Sequence, residues 1–169
     1  MISVLAIGNA TPETREDLCM AARAFGASEI TFTGKKSEKL IKQFERISKK
    51  WGGTFIVSFT TNWEEYVYSK KNYTKIHLTR YGVPLNKVLY TLKTYKNLLV
   101  IVTMMEPMKK VHQLADFNVS ITTQPHCTSA AVSVFLHVFY EGRELALHFE
   151  NAQYKILPNE KGIHLEKIR

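Results

Sequence analysis

The run Leu98-Leu99-Val100-Ile101-Val102 decides the class of fold. Successive side chains of a strand point to opposite faces of the sheet, so a strand without polar residues is covered on both faces. Strands of this kind are typical of parallel sheets that lie between two layers of helices. The run Thr54-Phe55-Ile56-Val57 has a similar character. Both runs predict central strands of an α/β domain.

Short β-rich runs alternate with longer amphipathic segments along the first 142 residues. The predicted strands are residues 2–7, 29–32, 54–58, 74–78, 98–102 and 118–121. The predicted helices are residues 14–25, 37–51, 63–69, 84–94, 108–114 and 128–140. This alternation predicts an α/β fold with a mostly parallel sheet that helices cover on both faces.

The pattern changes after Glu141-Gly142. Residues 145–150, 153–157 and 163–168 are short alternating runs, separated by Asn151, Pro158-Asn159 and Gly162. Such runs, bounded by turn-forming residues, are typical of strands. We therefore predict a domain at 1–142 and a small C-terminal β extension at 143–169.

The composition excludes several classes of protein. With 45% hydrophobic and 22% charged residues, the chain is not disordered. No apolar run reaches the ~18 residues that a membrane-spanning helix needs, and the amino terminus lacks a basic leader. The two cysteines, Cys19 and Cys127, form neither a metal-binding pair nor a disulfide framework. We expect a cytoplasmic protein without a metal or a membrane partner.

The charge favours a polyanionic partner. Lysine and arginine number 23 against 15 aspartate and glutamate residues, which gives a net charge of +8. Such an excess attracts nucleic acid because phosphate contacts release counterions. The alternative is a basic protein with no such partner.

The second predicted helix has two distinct faces. At 100° per residue, one face carries the apolar residues Leu40, Ile41, Phe44, Ile47 and Trp51. The basic residues of the opposite face are Lys39, Lys42, Arg46, Lys49 and Lys50. Together with Lys70 and Lys71, they are candidate RNA-binding residues, although a solvated helix face explains the same pattern.

Familiar nucleotide and metal motifs are absent from the sequence. Gly34-Lys35-Lys36-Ser37 has an extra lysine compared with a phosphate-binding loop, and Gly8 lacks the partner glycines of a dinucleotide fingerprint. The histidines show no metal-ligand spacing. Gln124-Pro125-His126 is more informative, since it lies between a strand and a helix, where α/β proteins bind ligands. Thr128 and Ser129 suit the start of that helix, and Cys127 fits there as a small residue.

Several blocks of sequence match the motifs of one known family. The most specific block is Leu114-Ala115-Asp116-Phe117-Asn118-Val119 followed by Gln124-Pro125-His126 and Ala130-Ala131-Val132-Ser133-Val134-Phe135-Leu136. Further matches are Ala22-Arg23-Ala24-Phe25-Gly26-Ala27, His77-Leu78-Thr79 with Tyr81-Gly82, and Phe149-Glu150-Asn151-Ala152 with Pro158 and Lys161-Gly162. These matches occur in order and span nearly the whole chain. Together they resemble the archaeal tRNA cytidine 2′-O-methyltransferases of the SPOUT class.

The resemblance implies a C-terminal deep trefoil knot, a homodimer, S-adenosyl-L-methionine as cofactor and tRNA, not DNA, as partner. The implied reaction is 2′-O-methylation of cytidine 56 in the TΨC loop. The implied cofactor-binding residues are Leu78; Thr103, Met104, Met105, Glu106 and Pro107; and Ile121, Thr122, Thr123, Gln124, Pro125, His126, Cys127 and Thr128. These segments follow three predicted strands, so they share one edge of the sheet.

The sequence departs from the family pattern at three motifs. The basic first motif is replaced by residues 6–17, where Arg15 is a possible substitute, and Thr103-Met104-Met105 replaces paired glycines. Thr123 stands where the family pattern has an asparagine before Gln-Pro-His. Arg15 or Arg23 is our candidate for orienting the 2′-hydroxyl or an adjacent phosphate. The alternatives to an active enzyme are a non-catalytic, SPOUT-like protein that binds tRNA or other RNA, and an unrelated nucleotide-binding protein.

Overall fold

The computed structural model describes residues 1–104 and 108–168. The strands of the main domain are β1 (Ile2–Ile7), β2 (Glu29–Thr33), β3 (Ile56–Thr60), β4 (Thr74–Pro84), β5 (Leu98–Thr103) and β6 (Phe117–Ser120). The helices are α1 (Pro12–Ala24), α2 (Glu38–Trp51), α3 (Trp63–Ser69), α4 (Leu85–Leu92), α5 (Lys109–Leu114) and α6 (Thr128–Tyr140). A short 3-10 helix (Arg143–Ala146) and two strands, β7 (Tyr154–Leu157) and β8 (His164–Lys167), follow.

The first six strands form one parallel sheet in the order β3-β2-β1-β5-β4-β6. Every residue of β1 is buried, and β5 is buried from Leu98 to Val102. Residues of α1, α2, α4 and α6 pack on one face of the sheet. Val67 of α3 and Val111 of α5 pack on the other. The predicted α/β class with a mostly parallel sheet is confirmed.

The helix starts follow local chemistry. The Thr11 side chain accepts a hydrogen bond from the Thr14 backbone N–H at 3.2 Å, and Pro12 occupies the first turn, so α1 begins before the predicted Thr14. Ser37 caps α2 in the same way. Leu40 and Phe44 are buried, as predicted for the apolar face of α2.

The third strand lies at Ile56–Thr60 rather than at the predicted 54–58, and it is an edge strand of the sheet, so the prediction of a central strand is wrong here. Its partner β2 begins at Glu29, which pairs with Ile56, and the Ile56 N–H donates to Ser28 O at 3.2 Å. Phe55 instead packs its ring 5.8 Å from that of Phe44. Although aromatic residues favour strands, Phe55 therefore packs on α2 and lies outside β3.

The predicted strand at 145–150 is wrong. Gly142 has a φ of 77°, which favours glycine and turns the chain back on α6. The following residues form the 3-10 helix, and the Glu144 carboxylate lies 2.5 Å from His137 Nδ1. The contact of the buried Glu144 side chain with His137 thus stabilises a 3-10 helix where the alternating pattern predicted a strand. The later two runs form the antiparallel pair β7–β8.

Candidate active site

A cavity of about 460 Å³ opens at the carboxyl edge of the sheet. Segments that follow β1 and β5 form part of its wall, and the rest comes from the middle of β4 and the start of α6. The lining residues are Asn9, Ala10, Thr11, Thr14, Thr79, Arg80, Tyr81, Thr103, Met104, Pro125, His126, Cys127, Thr128 and Ala131. Ligand sites of α/β proteins lie at this edge of the sheet, and the volume is that of a small-molecule site.

An irregularity in β4 brings one wall of the cavity into place. Leu78 and Val83 both pair with Val119 of β6, so residues 79–82 leave the ladder. Gly82 lies tightly against β6: a Cβ there would be 2.5 Å from the backbone carbonyl carbon of Asn118. The absence of a side chain lets the two backbones meet. Residues 79–81 are thereby displaced toward the cavity that they line.

The opposite wall is the first turn of α6. Cys127 occupies the position before the helix, and Thr128 and Ser129 are its first two residues, so the predicted capping role of Thr128 and Ser129 is wrong. The exposed Cys127 thiol lies 3.4 Å from Ser129 Oγ. The hydrogen bond with Ser129, followed by that of the Ala130 backbone N–H, lowers the pKa of this thiol. The cavity thus faces a helix end that favours negative charge.

The end of β5 connects these walls. The Met104 N–H donates to Ile7 O at 2.8 Å, and Thr128 Oγ1 donates to Met104 Sδ at 3.5 Å. Met104 also packs against the main hydrophobic core. Met104, which stands where the family pattern has a glycine, is therefore part of the cavity wall. Met105, Glu106 and Pro107, which we predicted to bind the cofactor, lie outside the described residues.

The structure brings together part of two of the three predicted cofactor-binding segments, whereas Leu78 does not line the cavity. Thr103, Met104 and Pro125 to Thr128 line the cavity. Leu78 is buried in the core just before residues 79–81. Ile121 is half-buried, and Thr122, Thr123 and Gln124 are exposed outside the lining.

Sequence reasoning missed some lining residues. Asn9, Ala10 and Thr11 follow the carboxyl end of β1, and Thr79, Arg80 and Tyr81 follow a predicted strand. Both groups could have been predicted from the rule that ligands bind beyond the carboxyl ends of parallel strands.

Neither candidate arginine lines the cavity. Arg15 lies between Phe32 and Phe59, with its guanidinium carbon 5.7 and 5.6 Å from their ring centres. Its neighbour Thr14 is the residue that reaches the cavity wall. The buried Arg15 Nε atom has no hydrogen-bond partner among the described residues.

Arg23 lies toward the other end of α1 and is buried. Its Nη2 atom donates to Gly52 O at 2.6 Å, and its guanidinium carbon lies 4.7 Å from the centre of the Phe149 ring. Burial lowers the pKa of this side chain. Arg23 thereby links Phe149 of the C-terminal segment to Gly52, the residue that follows α2. These contacts support a structural role for Arg23 rather than the predicted orientation of the 2′-hydroxyl.

The predicted basic face of α2 is exposed at Lys39, Lys42, Arg46, Lys49 and Lys50. Lys39 also lies beside Arg15 in a cleft between α1 and α2. Lys71 is exposed as well. Lys70, by contrast, forms an ion pair at 2.5 Å with Glu29. Its Nζ atom lies 5.2 and 4.8 Å from the ring centres of Tyr66 and Tyr73. These contacts make Lys70 a poor candidate for a phosphate contact.

Two further findings bear on the candidate chemistry. Across residues 1–104 and 108–168, no group of three His, Cys, Asp or Glu side chains is placed to hold a metal ion. No helix in the described part of the chain combines the length and apolarity that crossing a membrane requires.

The sequence is similar to enzymes of known name. The family profile described as "tRNA ribose 2′-O-methyltransferase, aTrm56" matches residues 51–166. The chain is 37% identical over 153 residues to the tRNA (cytidine(56)-2′-O)-methyltransferase of Methanopyrus kandleri, covering 89% of this chain and 86% of that protein. The enzyme of the same name from Methanothermobacter thermautotrophicus is 36% identical over 154 residues, with the same two coverages.

Solved structures share the fold. A putative RNA methyltransferase from Bacillus anthracis superposes with a TM-score of 0.67 at 15% identity, covering 89% of this chain and 99% of that one. The SpoU methyltransferase AviRb from Streptomyces viridochromogenes, in complex with AdoMet, gives a TM-score of 0.62 at 14% identity. That match covers 83% of this chain and 57% of the other.

Proposed function

The chain belongs to the tRNA ribose 2′-O-methyltransferase family aTrm56, and from this membership we propose that it methylates the ribose 2′-oxygen of cytidine 56 in the TΨC loop of tRNA. The observation that carries the proposal is the cavity at the carboxyl edge of the sheet. Segments that are distant in sequence, residues 9–14, 79–81, 103–104 and 125–131, meet there.

S-adenosylmethionine is the methyl donor in this proposal. The cavity volume of about 460 Å³ is in the range of sites that bind small molecules and cofactors. The start of α6 offers backbone N–H donors, and Thr103 and Thr128 offer hydroxyls. When bound, the cofactor supplies an activated methyl group.

The chain's own residues then hold the ribose and the departing proton. A cavity formed by fixed segments aligns the 2′-oxygen for in-line attack, which lowers the entropic part of the barrier. His126 is the only histidine among the described residues that line the cavity. We propose that its imidazole accepts the proton of the 2′-hydroxyl.

The exposed basic face of α2 supports a docking surface for tRNA. Pro12 and Arg15 of α1 share a cleft with Lys39, and Thr11 and Thr14, which flank them in sequence, line the cavity. Beyond Lys39, α2 extends roughly 18 Å to Trp51 and carries Lys42, Arg46 and Lys49. A folded tRNA that reaches the cavity with one nucleotide is long enough to contact this face with its backbone.

We also propose that the active unit is a cytoplasmic homodimer. Phe135 and Leu136 of α6 are buried within the chain, whereas Ala130 is exposed and Val134 has 42% of its surface exposed. An apolar strip on a helix that already packs against α1 favours a protein partner. Light scattering at micromolar concentration tests this proposal: we expect twice the chain mass of 19.4 kDa, and a single-chain mass would contradict it.

A trefoil knot at the C-terminal end of the sheet completes the proposal. The chain leaves β6 at the edge of the sheet, yet α6 packs against α1 and β5. It therefore returns across the carboxyl end of β4. The fold shared with SpoU methyltransferases supports threading of this return path through an earlier loop.

The decisive experiment measures methyl transfer from labelled S-adenosylmethionine to two tRNA transcripts, which carry cytidine or 2′-deoxycytidine at position 56. We expect label only in the first, and mass spectrometry of nucleosides to identify 2′-O-methylcytidine. Equal labelling of both transcripts would place the modification elsewhere. Binding of tRNA without transfer by a folded dimer would identify the chain as a non-catalytic RNA-binding relative.

A further inference from the structure

The departure of β4 from its ladder places one permanently charged side chain at the cavity. Arg80 lines the cavity and is half-buried, with its guanidinium carbon 5.9 Å from the centre of the Tyr81 ring. Within residues 1–104 and 108–168, it is the only lysine or arginine in the cavity lining. No described carboxylate forms an ion pair with it. The family resemblance includes residues 77–79 and 81–82 but not this position.

The backbone that carries Arg80 is fixed. Gly82 meets the backbone of Asn118 and Val119 so closely that a Cβ would lie 2.5 Å from each. On the other side, the Tyr81 N–H donates to Thr79 Oγ1 at 3.4 Å. Binding of a ligand by Arg80 therefore requires no additional ordering of its backbone.

A guanidinium beside a cavity binds an oxyanion, often through two parallel hydrogen bonds. The two oxyanions available in the reaction are the carboxylate of the cofactor and the phosphates of tRNA. The neighbouring Tyr81 is 67% exposed, which locates this segment at the mouth of the cavity. The macromolecular substrate enters through the mouth, and an exposed aromatic ring there can stack on an unpaired base.

We propose that Arg80 binds a phosphate next to the methylated ribose and so positions the 2′-oxygen in the cavity. The phosphate on the adjacent 3′-oxygen is a short, rigid distance from the 2′-oxygen, so fixing one fixes the other. This role rests on the proposed function. It also supplies a basic group to a cavity that Arg15, held between two phenylalanine rings, does not line.

Arg80→Met and Arg80→Lys test the role in steady-state kinetics. We expect Arg80→Met to lower kcat/KM for tRNA about tenfold or more, mainly through KM, because it removes a charged hydrogen bond. Its log–log salt slope for tRNA binding should fall by about 0.7 to 0.9, the effect of one phosphate contact. Arg80→Lys should retain the slope. The affinity for S-adenosylmethionine, measured by calorimetry, should stay unchanged.

Arg143→Met is the matched control. Arg143 is exposed near the C-terminal end of α6, where its Nε donates to Tyr140 O at 3.0 Å. The same change of charge there should leave the tRNA parameters unaltered.

A binding assay identifies the phosphate. The target nucleotide is made 2′-deoxycytidine, and a neutral methylphosphonate replaces the phosphate on one side or the other. We expect one replacement to weaken binding to the wild type but not to Arg80→Met, the signature of a direct contact in a double-mutant cycle. Equal sensitivity of both proteins would overturn the proposal, as would weaker cofactor binding with an unchanged salt slope.

The two proposals fail in different ways. Arg80-dependent tRNA binding without methyl transfer by the wild type would refute the proposed function. Methyl transfer that Arg80→Met leaves intact would refute only the role of Arg80.

Discussion

The hydroxyl of Thr128 donates to the sulfur of Met104 across 3.5 Å, which joins the first turn of α6 to the end of β5. Both residues line the cavity, and Met104 is half-buried. The side chain is therefore a wall of the site as well as part of the core. Because thioethers are flexible, it can adapt to a ligand, at a cost in affinity.

Met104→Ala should tighten binding of S-adenosylmethionine. We expect the wild type to bind at tens of micromolar and the variant about three- to tenfold more tightly, because space opens for the adenosine. Losing a half-buried methionine should also lower the free energy of unfolding by about 1–2 kcal/mol. Calorimetry and urea unfolding measure the two effects. The control is Met20→Ala, at an exposed position on α1. Weaker binding by Met104→Ala would show that the methionine contacts the cofactor favourably.

Arg23→Met should destabilise the protein without changing the site. It removes a buried hydrogen bond of 2.6 Å to Gly52 and the contact with Phe149, so we expect a loss of about 2–3 kcal/mol in unfolding free energy. Cofactor affinity of the folded protein should remain at the wild-type value. Arg46→Met, at an exposed position, controls for the charge. If instead methyl transfer were lost at full stability, Arg23 would have a role in the reaction.

The two cysteines should differ sharply in reactivity. Burial raises the pKa of the Cys19 thiol, whereas the hydrogen bond of Ser129 and then that of the Ala130 N–H lower the pKa of Cys127. Since the thiolate is the reactive form, iodoacetamide should modify Cys127 at a lower pH than an ordinary thiol requires and leave Cys19 intact. Mass spectrometry identifies the product. Ser129→Ala should move the rate profile to higher pH, and S-adenosylhomocysteine should slow the reaction. If S-adenosylhomocysteine left the rate of Cys127 labelling unchanged, the ligand would bind away from α6.

Lys70→Met should weaken stability in a pH-dependent way. Burial alone would raise the pKa of Glu29, but hydrogen bonds from Lys70 and Ser3 and the charge of Lys70 lower it. Burial alone would lower the pKa of Lys70, but its contacts with Glu29 and Tyr66 raise it. The Glu29 contribution is therefore present above about pH 4.3 and is lost as the pH falls through the lowered pKa. The Lys70 contribution is present below about pH 10.4 and is lost as the pH rises through the raised pKa.

Urea unfolding of wild type and Lys70→Met measures this difference. We expect about 1–2 kcal/mol near neutral pH, and a smaller gap toward each end of the pH range. A gap independent of pH would mean that the lysine acts through packing on Tyr66 and Tyr73 rather than through its charge.

Reversal of Lys42, Arg46 and Lys49 to glutamate should weaken tRNA binding and flatten its dependence on salt. Each phosphate contact that is lost should lower the log–log slope by about 0.7 to 0.9. Lys70→Met controls for the loss of one basic charge outside α2, because the ion pair with Glu29 already engages that charge. A triple variant with the wild-type slope would make the basic face of α2 a solvated surface.

The sequence predicted the sheet because its central strands are apolar without interruption. It also predicted that segments of the candidate site meet at one edge of the sheet, since parallel strands share one carboxyl edge. What it missed depends on contacts between distant residues. The ion pair of Lys70 with Glu29 and the burial of Arg23 against Phe149 join segments that no local pattern connects. The departure of residues 79–82 from β4 depends on the close approach of Gly82 to β6, which periodicity does not contain.

The walls of the cavity come from both ends of the main domain: Asn9 follows the first strand, and Thr128 begins the last helix. A ribosome that makes this chain therefore releases most of the sheet before any complete site exists. Cofactor in the cell cannot stabilise the nascent protein until α6 has left the exit tunnel and packed against α1. Early folding has to rely on the apolar strands and the earlier helices that pack on them. Premature termination within α6 yields a chain without a site rather than a weakened enzyme.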